Sequence, residues 1–348
     1  MKTNLFIAAL SLVVLAGCSS EDEIDTLVSK SDNAITFGTY VGKQTKALDK
    51  SAFAKDDKFG VSAYYGDGTF EANFMSNETI STTDGSTWTY TNTKYWPEGN
   101  PVSFVAYYPN LTTAPTIADG ATAIPFTVES DATKQVDFMW STVKAATKDD
   151  KNGTAINGIT NTTTDATSVP FVFQHGLSRV LFKAQLGASS YAGVTINITN
   201  VTIKDINNTG TFTIPSTLAV GSWSSSGTQN YTALNTSTTI SNNTATPIGN
   251  SLLMIPQDVA NKAIEITYNL VYTNPELTIP NTKTITLAAN SKWDINKQYT
   301  YIFTISLDAV DLTATICSAK VLPKAFPPKA ITIFFLIPIP LPFSNIIN

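Results

Sequence analysis

The chain has 348 residues, 43% hydrophobic and 14% charged, with a net charge of −5 and a sequence pI near 4.9. That balance excludes a disordered chain and leaves no basic footprint for a nucleic acid. Two cysteines and one histidine exclude a disulfide framework and a His/Cys metal cluster, so stability must come from the core.

The first predicted element is a leader. After Lys2, an apolar run from Leu5 to Ala16 closes on Leu15-Ala16-Gly17-Cys18. A basic start, an apolar stretch and small residues make residues 1–17 a secretory signal peptide, and the Cys directly after them makes it a lipoprotein signal. Cys18 is the expected lipidation site. Two or three acyl chains there, at roughly 0.8 kcal/mol per buried methylene, would hold a soluble body on a membrane. Residues 18–32, with Ser19-Ser20-Glu21-Asp22-Glu23, form an acidic tether. Past residue 17 no apolar run reaches the ~18 residues that a membrane-spanning helix needs.

Apolar alternation at period two then dominates. It predicts strands at Ile35–Tyr40, Phe59–Tyr65, Thr87–Asn92, Val102–Tyr108, Val136–Trp140, Pro170–Gln174 and Arg179–Leu186. Further strands are expected at Val194–Lys204, Thr209–Ile214, Ser251–Pro256, Ala263–Tyr272, Lys283–Leu287, Gln298–Ser306 and Val310–Ile316. Many short strands without crossover helices predict an all-β fold of antiparallel β-sandwiches. The Lys-, Asp-, Asn- and Thr-rich segment Lys144–Ser168 marks the expected boundary. It gives an N-terminal sandwich over 33–145, a linker over 146–167 and a C-terminal sandwich over 168–316. Residues 222–250 read as a long exposed loop. In the tail, residues 317–348, Pro338, Pro340 and Pro342 at every second position suit neither helix nor central strand. Two readings stay open for it, an out-of-frame segment or an apolar patch seeking a partner.

Catalytic signals are missing. There is no G-x-S-x-G, no Walker loop and no C-x-x-C. His175, at the end of Phe171-Val172-Phe173, reads as structural. Asp149-Asp150-Lys151-Asn152-Gly153 fails as a calcium loop because Lys148 falls at its first position. These points predict no enzyme, no metal and no cofactor. The aromatic residues Trp88, Tyr90, Tyr95, Trp96, Phe104, Tyr107 and Tyr108 admit two readings: a sandwich core, or a face that stacks on sugars. On the second, Trp88, Trp96 and Tyr107 would serve a surface glycan-binding lipoprotein of a polysaccharide-uptake system.

From Cys18 to about Ile316 the chain resembles the fimbrillin-like lipoproteins of Bacteroidales. The likeness rests on Ile35-Thr36-Phe37, Lys46-Ala47, Asp57-Lys58-Phe59-Gly60-Val61, Trp88-Thr89-Tyr90 and Tyr95-Trp96-Pro97. It continues through Ser103–Pro109, Asp137-Phe138-Met139, Phe173–Val180, Met254-Ile255-Pro256-Gln257 and Trp293…Tyr299-Thr300-Tyr301. The resemblance implies two tandem transthyretin-like sandwich domains in a cell-surface fimbrial subunit, or a minor tip or anchor component. Its expected partners are other subunits, the outer membrane through the lipid anchor, and a host or bacterial receptor.

The resemblance also implies maturation by proteolysis between Lys46 and Ala47. The cut would free the strand holding Ile35 and Phe37, and a donor strand from a neighbour would fill the vacated groove, head to tail. The donor candidate is the alternating set Val310, Leu312, Ala314 and Ile316. Family members commonly carry Arg at the cut, whereas the only arginine here is Arg179. Either a Lys-accepting protease acts, or the N-terminus stays attached and the protein remains an anchor or cap.

Overall fold

The computed structural model describes residues 33–41, 50–65, 73–118, 121–154 and 167–318. The strands of the first half are β1 (Phe37–Val41), β2 (Lys58–Tyr65), β3 (Asn73–Thr82), β4 (Trp88–Thr89), β5 (Val102–Tyr108), β6 (Thr116–Ala118), β7 (Ala121–Thr127) and β8 (Met139–Ala146). Then come β9 (Val169–His175), β10 (Ser178–Leu186), β11 (Val194–Ile206), β12 (Thr209–Ile214), β13 (Ser222–Ser226) and β14 (Gln229–Leu234). The last are β15 (Thr238–Ile240), β16 (Thr246–Met254), β17 (Ala263–Thr273), β18 (Glu276–Thr286), β19 (Lys297–Ile305) and β20 (Val310–Ser318). The one helical turn among the described residues is a 3-10 turn at Ala132–Lys134, capped by Asp131. The fold is all-β.

Four sheets result. A seven-stranded sheet runs β1-β9-β8-β5-β2-β3-β4, and a four-stranded one runs β13-β12-β7-β6. The other two run β14-β11-β17-β18, with β15 also on β11, and β16-β10-β19-β20. In the seven-stranded sheet, β2 and β5 are buried on both faces. One face of that sheet carries Phe59, Val61, Phe104, Phe171 and Phe173 into an aromatic core roofed by Trp88 and Trp96. The opposite face, with Tyr64, Val105, Tyr107 and Trp140, joins a larger core that includes Phe212 and continues through the two remaining sheets. Trp140 lies 5.3 Å from Phe212, and the Tyr64 hydroxyl is 3.0 Å from that of Thr122.

Three expectations need correction. The segment 146–167 does not separate the sheets: β9, beyond it, pairs with β1 and β8, and β12 pairs with β7. Polar composition marks exposure, and an exposed excursion can leave a sheet and return to it. Pairing is not uniformly antiparallel either, since β1 with β9 and β10 with β19 are parallel. Such pairs need long connections, which alternation along one strand does not reveal. Residues 222–250 hold β13, β14, β15 and the start of β16 instead of a loop. Their Ser and Thr side chains suit the solvent face of an outer strand as well as they suit a loop. The tail from 319 onward lies outside the described residues.

Candidate functional site

The segment from Asn33 to Val41 is held from two sides. Along one edge, β1 pairs in parallel with β9, Phe37 opposite Val169 and Val41 opposite Phe173. Just before it, Ala34 bridges Tyr95; the Ile35 amide donates to Lys94 O at 2.8 Å, and the Trp96 amide to Asn33 O at 2.9 Å. Side chains do the rest. Ile35 and Phe37 are 1% and 5% exposed. The Phe37 ring stacks on Phe171 at 5.3 Å and meets Phe104 edge-on at 6.0 Å. Trp88 Nε1 donates to Thr39 Oγ1 at 2.9 Å, and the Tyr90 hydroxyl donates to Ile35 O at 2.9 Å.

A short strand at the end of its sheet thus plugs an aromatic slot. Removing it would uncover Phe171 and Phe104 and leave the Trp88 indole without its Thr39 acceptor. Chain order places residues 42–49 directly after it. Lys46 and Ala47 fall in that stretch, and it lies, like Cys18, outside the described residues. Lys50 Nζ sits 2.7 Å from Asp57 Oδ2 and 4.7 Å from the Tyr108 ring centroid. Burial lowers the Lys50 pKa, but the hydrogen bonds to Asp57 and Tyr108 outweigh it and raise the group above its ordinary value. That lysine is engaged in the fold.

Val310, Leu312, Ala314 and Ile316 all lie on β20, a terminal strand of its sheet that pairs with β19 alone among the described residues. They stand opposite Ile305, Phe303, Tyr301 and Tyr299, whose side chains are buried. Their own cover fades along the strand. Val310 and Leu312 are half-buried, Ala314 is exposed and Ile316 is 63% exposed.

The stacking candidates are corrected. Trp88, Trp96 and Tyr107 are 7%, 4% and 0% exposed. Trp88 packs on Phe59 at 4.7 Å, Trp96 on Phe104 at 5.9 Å, and Tyr107 gives its hydroxyl to Asn77. None has an open face for a sugar: Tyr107 lies on the doubly covered β5, and Trp88 and Trp96 belong to the buried aromatic core.

His175 is buried and shares a hydrogen bond with the buried carboxylate of Asp137. Its partner escaped sequence reasoning because Asp137 sits 38 positions away, just before β8. Around it, β9 turns directly into β10: the Gly176 amide donates to Phe138 O at 2.7 Å, and Ser178 Oγ to Asp294 O at 2.8 Å.

A family profile described as fimbrillin-like matches residues 45–318. The chain belongs to the fimbrillin-like family. Among curated proteins, Fimbrium subunit Fim1C of Phocaeicola vulgatus is 26% identical over 202 residues, 52% of this chain and 50% of that protein. The chain thus spans about half the length of the curated relative it matches. A crystal structure of a fimbrial protein from Bacteroides vulgatus superposes with a TM-score of 0.57 at 17% identity, covering 82% of this chain and 99% of the other. A candidate cell adhesion protein from Bacteroides uniformis gives 0.51 at 17%, covering 83% and 98%. At such identities the likeness concerns the fold.

Proposed function

We propose that this protein is a structural subunit of a cell-surface fimbrium, serving adhesion and assembled by exchange of strands between copies. It reaches the outer membrane as a lipoprotein anchored at Cys18, and a protease that accepts lysine cuts between Lys46 and Ala47. The cut releases β1, and β20 of a neighbour, with Val310, Leu312, Ala314 and Ile316 toward the groove, takes its place. Main-chain hydrogen bonds to β9 would supply affinity and the alternating side chains register.

The observation that carries this reading is the placement of β1. Among the described residues it is a terminal strand paired with β9 alone, yet Phe37 on it and Ile35 just before it are buried in the aromatic core. The weak cover over the far half of β20 supports its role as donor, since a strand must be detachable before it can be lent. Membership in the fimbrillin-like family supports the filament as the product.

Limited trypsin treatment of the purified full chain tests the reading. The expected result is a new N-terminus at Ala47, followed by ladders of oligomers that survive detergent. A product that is cut at Lys46 and stays monomeric at high concentration would contradict it.

A further inference from the structure

We infer that the cleft between the loop joining β16 to β17 and the loop joining β18 to β19 binds a neutral glycan. Its volume of about 580 Å3 lies within the range of small-ligand sites. Trp223 of β13, with Pro256, forms an apolar wall, and Asp258, Asn290, Lys292 and Asp294 form a polar rim. The indole is fixed. It packs at 5.2 Å on both Phe138 and Phe212, and its Nε1 donates to Gly176 O at 2.7 Å. Being only half-buried, the ring keeps part of its surface for the cleft.

The backbone of the rim is fixed too. The two loops are stitched by the Val259 amide to Ser291 O at 3.0 Å and the Trp293 amide to Gln257 O at 2.8 Å, with Asp258 bridged to Lys292 along the backbone. Asp258 Oδ1 accepts from the Ala260 amide at 2.8 Å, which orients its carboxylate. Lys292 Nζ lies 3.2 Å from Asp294 Oδ1.

A rigid indole beside carboxylates and an amide matches the chemistry of a sugar. The C–H face of a pyranose packs on the ring, and its hydroxyls donate to Asp258 and Asp294 and accept from Asn290. Charge narrows the choice. Two carboxylates against one ammonium, itself paired, leave the rim net negative, which disfavours sialic and uronic acids and phosphate groups. The only histidine of the chain is buried beside Asp137, so the cleft is a binding site without a histidine base. The inference goes beyond strand exchange and does not depend on it, since a single unassembled subunit would bind equally.

The test is a titration of the purified full chain with lactose, maltose, mannobiose and 3′-sialyllactose, read by tryptophan fluorescence and by heat. Saturable binding of at least one neutral disaccharide is expected, weakened about tenfold or more in Asn290→Ala and lost in Trp223→Ala. Sialyllactose should bind more weakly than lactose. Because Trp223 also packs on Phe138 and Phe212, the exposed Asn290→Ala variant carries the test should Trp223→Ala fail to fold. Three results overturn the inference: no neutral disaccharide bound up to about 10 mM, affinity unchanged in Asn290→Ala, or tighter binding of the sialylated sugar.

Discussion

Phe37 shows how one residue couples the stability of the chain to its proposed assembly. Its ring stacks on Phe171 and meets Phe104 edge-on, so truncation leaves a hole at the mouth of the aromatic core. Phe37→Ala should destabilise the uncut protein by about 3–5 kcal/mol, measured by denaturant unfolding. Gly60 is constrained differently. A Cβ there would lie 2.2 Å from the Tyr107 ring, whose hydroxyl is bonded to Asn77, so Gly60→Ala should cost about 1–3 kcal/mol through overpacking. Burial of Tyr107 and Tyr231 raises both phenols above the ordinary 10.0. A raised folded-state pKa means that the folded chain holds those protons more tightly than the unfolded one. Their contribution is therefore full below pH 10.0 and lost as pH rises beyond it. Phenolate absorbance should accordingly show these two tyrosines titrating only together with unfolding.

At the scale of the element, β1 and β20 are both terminal strands with one partner each among the described residues, but they are held unequally. On β1 Phe37 is buried, whereas on β20 Ile316 is 63% exposed. Ile316→Asp should therefore change the stability of the monomer by no more than about 0.5 kcal/mol while suppressing detergent-resistant ladders after the Lys46 cut. A large loss of monomer stability with ladders intact would remove β20 as the donor. Both strands were legible from alternation, from Ile35 and Phe37 at the start of one and Val310 through Ile316 in the other. Their standing was not, because alternation tells which face is apolar and not which neighbour covers it. The same limit explains Trp88, Trp96 and Tyr107, whose spacing fits a wet face and a dry one equally. Trp223 was passed over because only serines surround it on β13.

Across the whole molecule, the all-β class followed from strand spacing and the absence of helical periodicity. The division at 146–167 did not survive, because β9 and β12 return to sheets begun in the first half. Pairing between distant segments leaves no local mark in composition. Residues 33–154 alone lack Phe171 and Phe173 and β9, the ladder partner of β1. As an isolated fragment they should show no cooperative melting transition, whereas the full chain should. A cooperative transition in the fragment would restore the linker as a domain boundary.

The central claim is that β1 occupies a place meant for another chain. Hydrogen–deuterium exchange across Val169–Phe173 of β9, followed in the uncut protein, the Lys46-cut monomer and the polymer, tests it most directly. Exchange should be slow, then fast, then slow again as one strand leaves and another arrives. Slow exchange in the cut monomer, or fast exchange in the polymer, would contradict the account.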